Sequence, residues 1–434
     1  MQLFKSLSFS LVLLIADYAR PAEADLIPRA IQKAHTFAAK RTHTLARDLR
    51  VAFGGVLVSR DDTISSTAKR VVYCKPKQVP FGVPTGGGTS GGNGTTSAHG
   101  SPSTSASGTK TATSIQPSAT VAVPDSPWKL QQSYSGNSFF QGWDFFTNPD
   151  PTNGIVDYVD EATAQSNGLL EVNDRGNAVM RVETTPKVDS VRKSVRITTQ
   201  FQYNGALVIM DSVHMPTGCG SWPAFWSNGP NWPDGGEIDI IEGVNDYTNN
   251  QATIHTKVGC TIPSTSQNVL SITGNVIGLT DCAAANTGNQ GCGIRASANN
   301  SFGAAFNTNG GGIYAMRWDS TGVAVYFFPR GSEPADIIAG KPQPDSWGAA
   351  QARWPATSCD PFGFFNNHHA IFDTTLCGDW AAGVWSATGI PGQDQSCAQR
   401  TGFSTCEDFV RASGSAFSEA YWEVKSMNIY QLQN

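Results

Sequence analysis

An all-β sandwich is the fold class this sequence predicts, and three observations carry it. From Trp128 to the C-terminus, short apolar or alternating runs are separated by Gly, Pro, Asn and Asp. Within these runs β-branched and aromatic residues recur with a period of two, and no long helical periodicity competes with them. Eight of the nine cysteines fall in the same half of the chain, a distribution suited to cross-linked loops in an oxidising compartment. Many antiparallel strands joined by long loops, stacked as two sheets, is the economical way to bury such faces.

The strand candidates follow in chain order. GLLEVND (Gly168–Asp174) and NAVMRVET (Asn177–Thr184) come first, with Met180 and Val182 alternating against Arg181 and Glu183. SVRITTQ (Ser194–Gln200) and GALVIMDSVHM (Gly205–Met215) continue the pattern. GGIYAMRWD (Gly311–Asp319) and GVAVYFFPR (Gly322–Arg330) suit strands better than helices because Val323, Val325 and the neighbouring aromatics are poor helix choices. HHAIFDTTL (His368–Leu376) follows, and YWEVKSMNIYQL (Tyr421–Leu432) is expected as a core or edge strand fastening the C-terminus.

Ahead of this region the texture differs. Lys5 precedes an apolar run from Leu7 to Ala16, followed by the small residues Ala22 and Ala24, the layout of a secretory signal peptide over 1–24. The run is too short to span a bilayer. A mitochondrial presequence is the competing reading, since Arg20, Arg29, Lys33, Lys40 and Arg41 follow with few acids. Residues 25–79 form a basic arm or propeptide in which Lys40-Arg41 and Lys69-Arg70 are either processing sites or surface charges. Residues 80–125 are dominated by Gly, Ser, Thr and Pro, too poor in apolar surface to offset the cost of ordering them, and read as a linker. The folded domain is then 126–434. Asn93 and Asn299 begin glycosylation sequons. Cys74 stands apart from the other cysteines, whose pairing spacing alone leaves open; Cys282 with Cys292 and Cys397 with Cys406 are the local expectations. The formal charge of −5 and the scarcity of basic clusters exclude a polyanion-binding surface, so no nucleic acid partner is expected.

The most informative stretch is GGEIDIIEG, Gly235–Gly243. On a regular strand Glu237 and Asp239 share one face with Ile238 and Ile240 on the other, and Glu242 falls with the isoleucines. A β-bulge between Asp239 and Glu242 would return Glu242 to the carboxylate face. Three acids so gathered repel one another unless one keeps its proton, which is what a general acid requires. The plain alternative is an exposed acidic strand with its isoleucines buried. Trp222, Trp226 and Trp232 lie just upstream, and aromatic planes beside polar groups suit the faces and hydroxyl rims of sugars, with core packing as the alternative for each.

The stretches SWPAFW, GGEIDIIEG, ATIHTKVGC, NTNGGGIYAMRWDS, FDTTLCGDWA and FSEAYWEV resemble glycoside hydrolase family 16, in its fungal laminarinase-like group of endo-1,3(4)-β-glucanases, from about Trp128 onward. The resemblance implies a β-jelly-roll sandwich with a glucan cleft on its concave face. It carries the family motif E-x-D-x-x-E onto Glu237 as nucleophile, Asp239 as its assistant and Glu242 as acid/base. His255 in ATIHTKVGC matches the family's cleft histidine, so Trp222, Trp226, Trp232 and His255 are the expected substrate-binding residues. Adjacent His368 and His369 point oppositely on a strand, and packing is their default. No cofactor or metal is implied, and the expected partner is a β-glucan polysaccharide met by a secreted monomer. A retaining endo-acting hydrolase is the implied activity. A transglycosylase shares its covalent intermediate, while a glucan-binding module or a structural secreted domain would have no need of both glutamates.

Overall fold

The computed structural model describes residues 124–433. The signal peptide, the basic arm, the linker as far as residue 123, Cys74 and the Asn93 sequon lie outside the described residues. The first strands are β1 (Trp128–Ser135), β2 (Trp143–Phe145), β3 (Val156–Tyr158), β4 (Leu170–Val172), β5 (Ala178–Arg181) and β6 (Arg192–Ser194). Next come β7 (Arg196–Thr199), β8 (Ala206–His214), β9 (Ser221–Asn228), β10 (Glu237–Glu242), β11 (Gln251–His255) and β12 (Asn275–Ile277). The chain finishes with β13 (Cys292–Arg295), β14 (Gly312–Asp319), β15 (Gly322–Pro329), β16 (Ala352–Pro355), β17 (His369–Leu376) and β18 (Tyr421–Leu432). Each of the eight runs picked out from the sequence carries a strand. Helices among the described residues are short, Cys406–Ala412 reaching only seven residues.

Two antiparallel sheets pack face to face as a sandwich. One is ordered β16-β15-β14-β8-β18-β5-β4, with β1 also pairing to β18; the other runs β12-β13-β11-β10-β9-β17-β7-β2. The C-terminal strand is internal, because β18 bonds β8 along one edge and β5 and then β1 along the other. Alternation along β8 explains the layering. Val208 and Met210 point into the inter-sheet core with Phe225, Ile238, Ile241, Ile254 and Phe372, while Leu207 and Ile209 join Trp128, Ile313 and Tyr326 in a cluster on the other face. The outer face of the second sheet is the one that gathers the acidic run of β10.

Four disulfides staple the loops: Cys219–Cys397, Cys260–Cys359, Cys282–Cys292 and Cys377–Cys406. The Cys282–Cys292 expectation holds, and the Cys397–Cys406 expectation is corrected. Cys397 and Cys406 each open a separate short helix, and each bonds a cysteine from the region around β9 or the end of β17 rather than its neighbour in sequence. No helix among the described residues is long and apolar enough to cross a membrane.

Candidate active site

The site is built on three cross-strand rows of the second sheet. His369, Asn228, Glu237 and His255 stand in register across β17, β9, β10 and β11. Ile371, Trp226, Asp239 and Thr253 form the next row, and Asp373, Ala224 and Glu242 the third. The jump from Asp239↔Trp226 to Ile241↔Phe225 leaves Ile240 unmatched, so β10 bulges at that residue. The bulge restores Glu242 to the open face while Ile238, Ile240 and Ile241 are all fully buried. The glycines flanking β10 are demanded by packing: a Cβ on Gly236, which sits at φ +77°, would come within 2.3 Å of the Phe365 ring, and one on Gly243 within 2.8 Å of Phe302.

Each carboxyl has its own surroundings. The Trp222 indole N–H donates to Glu242 Oε1 at 2.9 Å. His255 Nε2 lies 3.3 Å from Asp239 Oδ2, and Asp239 itself is buried. Burial raises all three carboxyls, and a neighbouring carboxylate raises each of them further. Glu237 is pushed up to about 8 by burial and then by the Asp239 charge, with His255, Trp232 and Arg196 pulling it back. Asp239 is raised by burial and by Asp373, while its hydrogen bond with Glu237 opposes the rise. Glu242 is carried well above the usual carboxylate range by burial, Asp239 and Glu237 together, against the Trp222 hydrogen bond and His255. Raised together, the three carboxyls are disfavoured from carrying three charges at once.

All four expected substrate residues gather here. Trp222 and Trp226 project from β9, Trp222 resting edge-on against Trp380 at 5.7 Å between centroids. Trp232, in the loop before β10, is 44% exposed. His255 stands beside Glu237 and Asp239, with its Nδ1 buried and lacking a hydrogen-bond partner. His368 departs from the cleft: it is fully buried, bonded to Ser227 Oγ and the Gly235 carbonyl, and burial lowers its pKa to about 3. His369 faces the open side and contacts Gln202 and the Thr199 carbonyl. Glu237, Asp239 and His255 bring ligating atoms within 4.8 Å of one another, close enough for an ion. The same crowding is what a proton-sharing carboxylate cluster needs.

The sequence reading passed over three residues. Asp373 on β17 accepts the Trp226 indole N–H at 3.0 Å, and burial lifts its carboxyl to about 6 against the pull of Arg196. Arg196 lies opposite Asp373 across the β7–β17 pair, and its guanidinium stands 5.0 Å over the Trp226 ring. Asn250, just before β11, reaches the bulge itself. The first two lie inside quoted runs but become site residues only when β7, β17 and β9 come side by side.

A two-sheet sandwich whose open face holds a carboxylate cluster among tryptophans defines a carbohydrate-active β-sandwich. The family described as XgeA-like, catalytic GH16 domain matches residues 143–430, and the chain belongs to that family. A probable glycosidase of Schizosaccharomyces pombe is 40% identical over 307 residues, covering 70% of this chain and 69% of the relative. The endo-1,3(4)-β-glucanase xgeA of Emericella nidulans is 38% identical over 316 residues, 72% of this chain and 49% of the relative. The chain thus spans about half the length of the Emericella relative and of the similar Aspergillus proteins. Among solved structures, laminarinase 16A from Phanerochaete chrysosporium, with β-glucans (6-O-glucosyl-laminaritriose) in donor and acceptor sites, is 36% identical with a TM-score of 0.63, over 70% of this chain and 99% of that one. An elongating family 16 β-1,3-glucosyltransferase is 37% identical with a TM-score of 0.62, over 70% of this chain and all of that one.

Proposed function

We propose that the chain is a secreted, retaining endo-1,3(4)-β-glucanase that cuts β-1,3 and mixed-linkage β-1,3-1,4-glucans. The observation that carries this reading is the bulged strand, which sets Glu237, Asp239 and Glu242 on one open face with their protonation linked. In the first step Glu242 gives its proton to the glycosidic oxygen as the C–O bond breaks. Glu237 attacks the anomeric carbon and forms a glycosyl ester. A protonated Asp239 donates to Glu237 and lets that carboxyl hold the negative charge before attack. Glu242, now ionised, takes a proton from water, which displaces Glu237 and restores the β configuration. Trp222 fits the acid role by binding only Oε1, which leaves the other oxygen of Glu242 to carry the proton. Trp226, Trp232 and His255 are the proposed sugar contacts.

The family 16 glucosyltransferase of similar sequence and fold favours a second reading, transglycosylation, in which a sugar hydroxyl replaces water in the second step. Secretion accords with the four disulfides and with the leader-like residues 1–24, and the catalytic domain is proposed as 126–434. One experiment tests the reading. Products from laminarin, a cereal mixed-linkage glucan and xyloglucan are followed over time, with the anomer released first recorded by proton NMR. Short oligosaccharides with the β-anomer first, from the first two substrates only and absent in Glu237→Gln, are expected. An α-anomer would overturn the retaining mechanism, and longer hybrid products would replace hydrolysis with transfer.

A further inference from the structure

On its β11 side, the bulge that brings Glu242 into the site has no strand partner to hold it. On one side the β10–β11 ladder ends at Asp239↔Thr253, and on the other the β9 register slips past Ile240. A bulge leaves backbone groups without ladder bonds, and orphaned backbone groups in a buried place are costly. Here the groups at risk are the Ile240 carbonyl and the Glu242 amide, both beside fully buried isoleucines.

Asn250 satisfies both. Its Oδ1 accepts the Glu242 N–H at 2.9 Å, and its Nδ2 donates to the Ile240 carbonyl at 2.9 Å. The two bonds span Ile241, the residue that follows the bulged Ile240, as a neighbouring peptide group would. Asn250 is itself fully buried and held through its own backbone, its N–H donating to Ser301 Oγ at 2.9 Å and its carbonyl accepting from Ala296 N at 2.8 Å. Ser301 is fixed in turn, because its Oγ donates to the Ala298 carbonyl and its own carbonyl accepts from the Tyr314 hydroxyl. All four polar groups of Asn250 are thereby committed. A carboxamide is the group the job needs, since it offers one acceptor and one donor at the tip of a short side chain. A carboxylate lacks the donor, and a hydroxyl does not reach both backbone groups at once.

We infer that Asn250 is a positioning residue for catalysis, a stand-in strand that holds the bulge and thereby aims Glu242. The inference rests on the assignment of Glu242 as acid/base. It touches no reacting atom. Its effect passes through the backbone at Ile240 and Glu242, so losing it misplaces one catalytic carboxyl while Glu237 and Asp239, which keep their β11 partners, stay in position. Misplacing a catalytic group by about 1 Å costs on the order of 100-fold.

The test compares Asn250→Ala, Asn250→Ser and Glu242→Ala on laminarin and on an aryl β-glucoside whose phenolate leaves without protonation. Asn250→Ala should lose about 100-fold in kcat/KM on laminarin. On the activated substrate it should lose only a few-fold in the glycosylation step, the same split expected of Glu242→Ala. Asn250→Ser should show the same split if Asn250→Ala fails to fold. Equal losses on both substrates, unchanged laminarin activity, or unfolding of both Asn250 variants would overturn the positioning role. If Glu242→Ala itself shows no split, the acid/base assignment fails instead, and Asn250 falls with it.

Discussion

Glu237 is a carboxyl held where its charge is unwelcome. Its ordinary value of 4.5 rises to about 8 in the folded protein because burial and the neighbouring Asp239 disfavour ionisation. An acid whose folded pKa is raised binds more protons folded than unfolded between those two values, so stability falls as pH climbs through that window. The contribution is complete below about 4.5 and lost as pH passes 8. Glu237→Gln removes the charge and keeps the shape. It should be more stable than the parent at pH 8, by on the order of 1 kcal/mol once water in the cleft is allowed for, and indistinguishable from it at pH 4. Thermal unfolding at the two pH values checks this; a difference of equal size at both would show that charge is not the cause. At this scale Glu237, Asp239 and Glu242 were legible in the sequence because all three sit within six residues. Asp373, Arg196 and Asn250 were not, since each reaches the site from another part of the chain and has no local pattern to announce it.

At the scale of the element, β10 shows how a strand is bent to a purpose. The alternation of acids and isoleucines predicted a strand with one residue too many, and the register slip at Ile240 is where that residue goes. The glycines before the strand matter as much. Gly236 combines a left-handed φ of +77° with Phe365 and the Phe364 carbonyl in the space a side chain would occupy. Gly236→Ala should therefore cost at least about 2 kcal/mol, from backbone strain and the clash together, and should displace the start of β10 where Glu237 stands. Urea unfolding measures the first effect and laminarin hydrolysis the second. A variant as stable and as active as the parent would show that the turn has another conformation open to it. The strand was readable because period-two alternation is a local property. The partner that clamps the bulge was not, because hydrogen bonds across a loop leave no periodicity.

For the whole molecule, the cross-links tie regions that the sandwich has already brought together. Cys219–Cys397 closes 178 residues, whereas Cys282–Cys292 closes ten. If restricting the unfolded chain is the main effect, replacing the first pair by serine should cost about 5 kcal/mol and the second about 3 kcal/mol. Guanidinium unfolding of the two double variants gives the order, and a larger loss from the short loop would point to native packing as the dominant contribution. The Cys397–Cys406 expectation failed for a related reason. Nearness in sequence favours a pair only while the chain between is free to fold back, and here each cysteine opens its own short helix, leading to a different partner. The eight strand runs, the carboxylate triad, the cluster of tryptophans and the presence of a disulfide framework follow from the sequence alone, because alternation, spacing and residue type act over a few neighbours. Tertiary structure alone decided the three disulfides other than Cys282–Cys292, that His369 and not His368 faces the open side, and that Asp373, Arg196 and Asn250 come to the site. Those outcomes depend on strand order and register, which are set when two sheets close over a common core.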